Sequence, residues 1–192
     1  MARPREFDRD AALERAMQVF WAKGFASTST DDLREAMGIG RQSLYGAFGD
    51  KRTLYLEAFD AYLRRIGSAH LSRLSYGSPV EGIENLLAGL APEDDREREL
   101  GCMGVGSVSE FGTTDPDLNL RRKVLGELLI RHVARRIVEG QERGELASKL
   151  DPDETAAFVL MAMTGLQIAA RGGASAKELK SMARFVTCRL MP

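Results

Sequence analysis

The chain has 192 residues, 44% of them hydrophobic, and a formal net charge of −1. This length and composition predict a soluble globular protein, either one large helical unit or one domain with a smaller companion. Cys102 and Cys188 are far apart, which argues against a disulfide framework or a paired zinc site. The charged first ten residues and the lack of about 18 consecutive apolar residues argue against secretion and membrane spanning. We therefore expect a cytoplasmic protein.

Acidic and basic side chains are balanced in both parts of the chain. The first 60 residues carry nine basic and ten acidic side chains, and the remainder carries eighteen of each. Neither part predicts the broad basic surface that binds nucleic acid without regard to sequence. Any contact with DNA is therefore expected from a few placed cations.

Hydrophobic periodicity predicts an all-α fold of about nine helices, and no segment has a strand pattern. The first helix has Asp8 or Asp10 as its candidate N-cap. The second begins at a variant of the capping box, formed by Thr28 or Ser29 with Asp31 or Asp32. The predicted helices span 8–23, a short segment ending at 38, then 41–48, 50–75, 79–90, 100–112, 117–142, 153–171 and 176–190. The charged run "PEDDRERE" at 92–99 is predicted to be a solvated loop.

The segment "GIGRQSLYGAFGDKRTLY" at residues 38–55 contains four glycines, as a phosphate-binding loop could. A phosphate-binding GxGxxG loop follows a strand, whereas a helix is predicted before this segment. In addition, Ser43 stands where the third glycine would be. Residues 29–48 instead predict two short helices joined by a tight turn, which is a helix-turn-helix. The polar side chains on the exposed end of its second helix, which suit bases or phosphates, are Arg41, Gln42, Ser43 and Tyr45. The alternative is an ordinary solvated helix face.

Residues 8–55 resemble the DNA-binding segment of the TetR family of bacterial transcriptional regulators. The matching residues are Gly24, Phe25, Thr28, Ser29, Leu33, Gly38, Ile39, Leu44, Tyr45, Phe48 and Lys51. The chain departs from the family pattern at Arg34, at Gly40 and at Gly46 with Ala47. Glycine inside a helix costs about 1 kcal/mol relative to alanine. Our hypothesis for Gly46 is a close approach of the backbone to DNA.

The resemblance implies a helix-turn-helix DNA-binding domain over residues 1–52. It implies an effector-binding and dimerisation domain over 53–192, connected through the helix at about 50–75. The implied DNA contacts are to phosphates from Thr28, Tyr45 and Lys51, to bases or phosphates from Arg41, Gln42 and Ser43, and to the minor groove from Arg3 and Arg5. The alternative for Arg3 and Arg5 is a disordered tail.

The resemblance also implies a homodimer formed through the last two helices, and a pocket for an unknown small-molecule effector. Helix 153–171 is apolar over much of its circumference, which favours a second subunit as its cover; the alternative is a central helix of one domain. The candidate pocket residues are Cys102, Met103, Phe111, Leu128, His132, Phe158 and Met161. The alternative for each of them is ordinary core packing.

Cys102 lies near the expected N-terminus of helix 100–112, where the helix dipole lowers the pKa of a thiol. It is therefore a candidate oxidant sensor, and the alternative is a small buried side chain.

Together these features predict a sequence-specific DNA-binding transcriptional regulator. We expect a repressor that a small-molecule or oxidant signal releases from its double-stranded DNA operator, with no enzymatic activity, metal or cofactor. The alternative is a helical enzyme or small-molecule-binding protein that does not bind DNA. The sequence offers no catalytic Ser/His/Asp set, no paired carboxylates at catalytic spacing and no metal cluster to support an enzyme.

Overall fold

The computed structural model describes residues 7–192, so Arg3 and Arg5 lie outside the described residues. The described part contains ten helices and no strand, which confirms the all-α prediction. None of these helices is both long and apolar enough to cross a membrane. The helices are α1 (Arg9–Lys23), α2 (Thr30–Met37), α3 (Arg41–Phe48), α4 (Lys51–Ser75), α5 (Pro79–Ala88), α6 (Asp95–Leu100), α7 (Met103–Phe111), α8 (Pro116–Glu142), α9 (Pro152–Arg171) and α10 (Ala176–Cys188).

Nine of the helices correspond to the nine predicted from sequence, and α6 is additional. It lies in the charged run that was predicted to be a loop. Asp94 caps it by accepting the amide N–H of Glu97 at 2.9 Å. Arg98 is buried, and its guanidinium donates to the carbonyl of Ala174 at 2.9 Å. A run of charged residues predicts exposure to solvent, so this helix could not be predicted from the sequence. Arg98 is nonetheless buried because its N–H groups donate to backbone carbonyls.

Local signals determine the helix-turn-helix formed by α2 and α3. The Ser29 hydroxyl and the Asp32 carboxylate form a capping box at the start of α2, each accepting the other residue's amide N–H. Gly38 ends α2 in the left-handed conformation, with φ 68°, and Gly40 is the N-cap of α3. Leu44 is buried on the inner side of α3 and holds the helix against the core.

Two hydrophobic cores divide the molecule, and α4 contributes to both. The first is formed by α1 to α3 with the N-terminal half of α4, and it includes the aromatic side chains of Phe20, Tyr55 and Tyr62. The second is formed by α5, α8, α9 and α10, and Leu74 near the end of α4 joins it. A displacement of α4 in one core would therefore be felt in the other.

α4 and α8 run parallel. Near their starts, Arg52 on α4 donates to Asp115 at the N-cap of α8, at 2.6 and 3.2 Å. The Arg121 Nε on α8 donates to Asp60 at 2.8 Å. Further along, Arg136 on α8 donates to the carbonyl of Gly77, just beyond α4, at 2.8 Å. Positions about 60 residues apart are thus level along the two helices.

Short polar contacts join α7 and the residue before it to α1 and the α1–α2 loop. The two carboxylate oxygens of Glu110 accept the backbone N–H groups of Phe25 and Ala26, each at 2.9 Å. The indole N–H of Trp21 donates to the carbonyl of Gly101, just before α7, at 3.2 Å. The loop between α1 and α2 is therefore held in place by a side chain of α7.

The first prediction concerns the hydrogen bonds between Glu110 and the α1–α2 loop. Glu110→Gln leaves one oxygen acceptor where two stood and removes the charge that strengthens both bonds. We expect the free energy of unfolding to fall by about 1 kcal/mol, measured by urea denaturation. Glu142→Gln, at an exposed position at the end of α8, is the matched control and should change stability little. Equal stability of the two variants would contradict a structural role for the Glu110 contacts.

Candidate nucleic-acid interface and effector cavity

α3 presents a polar face to solvent, and this face is the candidate DNA-reading surface. The predicted side chains that are exposed on it are Arg41, Gln42, Ser43 and Tyr45. Leu44 and Phe48, between and after them, are buried. The helix thus uses its apolar side for anchoring and leaves its N-terminal polar side free. Side chains of these types donate to guanine, pair with adenine edges or contact phosphates.

Tyr45 is oriented by two neighbours. Its side chain is 40% exposed, and the Arg41 guanidinium carbon lies 5.7 Å from its ring centroid. Thr30 on α2 and Arg41, both near the phenol, lower the pKa of Tyr45 from its ordinary value. Thr30 was not among the predicted site residues. It connects the start of α2 with the reading face of α3.

Lys51 begins α4, and its ammonium group lies 4.3 Å from the centroid of the Phe25 ring. Asp50, the preceding residue, caps α4 by accepting the amide N–H of Thr53 at 2.7 Å. That bond also lowers the pKa of the Asp50 carboxyl. Asp50 already accepts one of the free backbone N–H groups at the N-terminus of α4. The Lys51 ammonium is therefore the main group that could bind a phosphate at this helix end.

Thr28, a predicted phosphate contact, is buried. Its side chain is only 1% exposed, and its hydroxyl donates to the carbonyl of Gly24 at 2.5 Å. A buried hydroxyl that already has an acceptor stabilises the end of the α1–α2 loop and is turned away from solvent. Thr28 is therefore removed from the candidate phosphate contacts.

Most other basic side chains near the helix-turn-helix are neutralised. The ion pairs are Arg9 with Glu57, Lys23 with Asp32, Arg34 with Asp31, and Arg52 with Asp115 and Asp117. Between residues 7 and 60, the cations without a carboxylate partner are Arg15, Arg41 and Lys51. Arg15 donates to the carbonyl of Met37. Arg41 and Lys51 are therefore the cations best placed to meet DNA.

A second candidate site lies inside the C-terminal helices. A partly open cavity of about 360 Å³, the central cavity, is lined by α4, α7, α8 and α9. Its polar lining includes His70, Cys102, Arg122, Thr164 and Gln167. An adjoining cavity of about 530 Å³, the outer cavity, opens between α1, α7 and α9 and shares Cys102 and Gln167 with it. Among residues 7–192, no cluster of three histidine, cysteine or acidic side chains could hold a metal ion.

The residues predicted to line an effector pocket do not form one site. Cys102 lines both cavities and Met103 lines the outer one. Phe111 packs on the rings of Phe25 and Tyr55, with centroids 5.7 and 5.9 Å away.

The side chains of α8 and α9 in the predicted set point away from the central cavity. Leu128 lines a surface groove between α4 and α8. The His132 Nδ1 lies 2.8 Å from the carbonyl oxygen of Leu128, one turn earlier in α8. Phe158 and Met161 are exposed on the outside of α9. Helical periodicity identified apolar positions, but it does not tell which of several apolar faces lines a cavity.

Cys102 is the N-cap of α7, as the sequence suggested, but its side chain makes no capping hydrogen bond. It lies within hydrogen-bonding reach of the buried Tyr62 phenol. Burial, with Cys102 beside it, raises the pKa of Tyr62 well above its usual value. The sequence missed the main polar groups of the central cavity, His70 and Arg122, because each is separated from Cys102 by at least 20 residues.

Comparison with protein families supports both halves of this description. A family model described as "Bacterial regulatory proteins, tetR family" matches residues 12–58. A second, described as "Tetracyclin repressor-like, C-terminal domain", matches residues 83–186. The HTH-type transcriptional repressor ComR of Escherichia coli (strain K12) is 31% identical over 99% of this chain and 91% of its own length.

Solved structures give the same architecture. A cysteine-substituted variant of the TetR family transcriptional regulator CifR, complexed with 26-base-pair double-strand operator DNA, is 33% identical with a TM-score of 0.81. The match covers 98% of this chain and 100% of that one. The regulatory protein TetR from Rhodobacter sphaeroides has a TM-score of 0.83 at 20% identity, over 95% and 98% of the two chains, and so shares the fold.

Proposed function

Because the chain belongs to the tetR family of bacterial regulatory proteins, we propose that it is a transcriptional repressor whose α3 reads an operator in double-stranded DNA. The observation that carries this proposal is the exposed polar face of α3. Arg41, Gln42 and Tyr45 are exposed to solvent on it, while the buried Leu44 anchors the helix. The CifR relative bound to operator DNA supports it. Such a regulator acts where bacterial DNA is, in the cytoplasm.

The proposed division of labour on DNA follows from charge and exposure. Arg41 and Gln42, at the start of α3, take base edges or phosphates, with Ser43 beside them. Tyr45 and Lys51 take phosphates and set the depth and orientation of α3 in the major groove. These contacts lie in residues 1–52, the proposed DNA-binding domain.

Residues 53–192 are proposed to pair two protomers and to receive the signal. Exposed apolar side chains form a stripe on α9 at helical spacing, Phe158, Met161 and Ile168, and continue on α10 with Met182 and Phe185. An apolar surface across two adjacent helices suits a four-helix contact with a second copy, and a homodimer presents two copies of α3 to successive major grooves.

The signal is proposed to be a small molecule bound in the central cavity. α4, α7 and α8 all line it, and α7 clamps the α1–α2 loop through Glu110. A ligand that fits one arrangement of these helices better than the other would swing α4 and change the spacing of the two α3 helices. Cys102, in the cavity wall, is the group through which an oxidant would act, and Cys102→Ser should then abolish release by oxidants.

The second prediction concerns DNA contacts. Tyr45→Ala combined with Lys51→Ala should weaken binding to the DNA upstream of the protein's own gene by about a hundredfold or more, because two contacts worth about 1–3 kcal/mol each are lost. Fluorescence anisotropy at several salt concentrations measures this. For a dimer, Lys51→Ala alone should reduce the slope of log K against log salt by about 2.

The matched control for this experiment is Tyr76→Ala combined with Lys149→Ala, at exposed positions outside the helix-turn-helix. It should bind like the unmodified protein. Failure of the unmodified protein to prefer its upstream DNA over random duplex at every salt concentration would refute the repressor and leave a helical ligand-binding protein.

The third prediction concerns Gly46. A Cβ atom added there meets no atom within 4 Å, so Gly46→Ala should stabilise the protein by about 0.5–1 kcal/mol. Operator affinity should nonetheless fall, since we infer that the backbone of α3 approaches DNA closely at this residue. Gly38→Ala is the contrasting control and should destabilise, because Gly38 has φ 68°. Unchanged operator affinity in Gly46→Ala would disprove the close approach.

The fourth prediction concerns the dimer. Phe158→Glu combined with Phe185→Glu should convert the protein to a monomer in analytical ultracentrifugation and abolish operator binding, because charges replace exposed apolar contacts. Leu120→Glu combined with Val124→Glu, on the equally exposed apolar groove of α8, is the control and should remain dimeric. The reverse outcome would assign the dimer contact to the α4–α8 groove.

A further inference from the structure

The central cavity is elongated along α4 and α8. Leu63 and His70 on α4 and Arg122 and Leu129 on α8 all line it. Because α4 and α8 run parallel with Asp60 level with Arg121, His70 lies about 13 Å further along the helix axis than Arg122 at a rise of about 1.5 Å per residue. The wall between these two ends is apolar and includes Leu63, Ile66, Leu125, Leu129, Leu160 and Met163.

Among the described residues, no carboxylate forms an ion pair with Arg122, and Asp115 acts on its charge without a hydrogen bond. Its guanidinium donates to the Ser107 hydroxyl at 2.8 Å, to the carbonyl of Gly112 at 2.9 Å and to the side-chain oxygen of Asn119. All three acceptors are neutral. Partial burial lowers the pKa of Arg122, which expresses the cost of holding this charge away from water. Arginine remains charged, so an anion in the cavity would be stabilised there.

His70 marks the other end. Its side chain is only 3% exposed, and its Nδ1 is buried without a hydrogen-bond partner. Burial, reinforced by the charge of Arg73, lowers the pKa of His70 to about 4, so the imidazole is neutral at pH 7. An unpaired buried ring nitrogen in a cavity wall offers one hydrogen bond to a polar group of a ligand, and leaving it unmade is costly.

We propose that the central cavity binds a small carboxylic acid with an apolar body: its carboxylate pairs with Arg122, its body lies along the apolar wall, and its far end reaches towards His70. Three of the five guanidinium N–H groups donate to Ser107, Gly112 and Asn119, and the other two can donate charge-assisted hydrogen bonds to a carboxylate. A volume of about 360 Å³ suits a small ligand. A neutral or cationic ligand would leave the Arg122 charge uncompensated. The regulatory consequence rests on the proposed function, but binding itself does not.

The fifth prediction is tested by calorimetry on the protein without DNA, with straight-chain carboxylates from butanoate to decanoate as probes. At least one should bind saturably, while the alcohol and the amine of the same chain length bind at least about tenfold more weakly. Arg122→Gln should weaken carboxylate binding about tenfold to a hundredfold, the size of a charge-assisted hydrogen bond. Arg122→Lys should recover part of the loss.

Two further variants keep this test decisive. Arg131→Gln, at an exposed arginine on the same helix, should bind the carboxylates normally. Gly126 lines the cavity and has open space where a Cβ would stand, so Gly126→Leu should fill the cavity and abolish binding while the Arg122 charge is retained. Thermal denaturation of each variant confirms folding. Saturable binding that is equal for the alcohol, or unaffected by both Arg122→Gln and Gly126→Leu, would overturn the proposal, as would no binding of any carboxylate.

Operator binding, measured separately by anisotropy, distinguishes this proposal from the proposed function. Carboxylate binding that leaves the operator complex intact would retain the ligand assignment and refute control through this cavity. Selective operator binding by a protein that binds no carboxylate would retain the repressor and refute the ligand assignment. Release by an oxidant that Cys102→Ser abolishes, with no carboxylate binding, would transfer the signal to the thiol.

Discussion

The packing of four aromatic rings holds α1, the loop after it, α4 and α7 together. The ring centroids of Phe20 and Phe25 lie 5.0 and 5.1 Å from that of Tyr55, both edge-on. Phe111 of α7 completes the cluster by packing on Phe25 and Tyr55. These rings come from α1, the loop after it, α4 and α7. Aromatic pairs of this kind stabilise through area and geometry together. Because Lys51 lies over Phe25, a candidate phosphate contact is positioned by the same cluster.

The same cluster explains how a cavity far from DNA could control it. α7 contributes Phe111 to the aromatic cluster, Glu110 to the α1–α2 loop, and Val105 and Val108 to the wall of the central cavity. One short helix therefore has a face towards the central cavity and a face towards the α1–α2 loop and α4. A coupling free energy of about 1–3 kcal/mol is typical of two linked binding sites. Breaking the two Glu110 hydrogen bonds through a displacement of α7 would change the free energy by about this amount.

Sequence reasoning succeeded where the signal was local and failed where it depended on distant pairing. The capping residue Ser29, the left-handed Gly38 and the buried Leu44 each act within a few residues, so the helix-turn-helix could be predicted from the chain alone. By contrast, the burial of Thr28 depends on the loop that Glu110 holds, 82 positions further along. The central cavity was missed for the same reason, since its polar groups come from four helices.

Neutralisation of most basic side chains around α3 determines how DNA can be recognised. Sequence-independent attraction to DNA grows with the number of phosphates that cations neutralise. Arg41 and Lys51 are the cations best placed among residues 7–60, so these described residues contribute little of that attraction. In the proposed homodimer, affinity would then depend on base contacts and on two protomers binding together, which makes the second contact intramolecular. Operator binding by this proposed dimer would consequently be sensitive to the spacing of the two α3 helices, and the proposed ligand-dependent shift of α4 would act through that spacing.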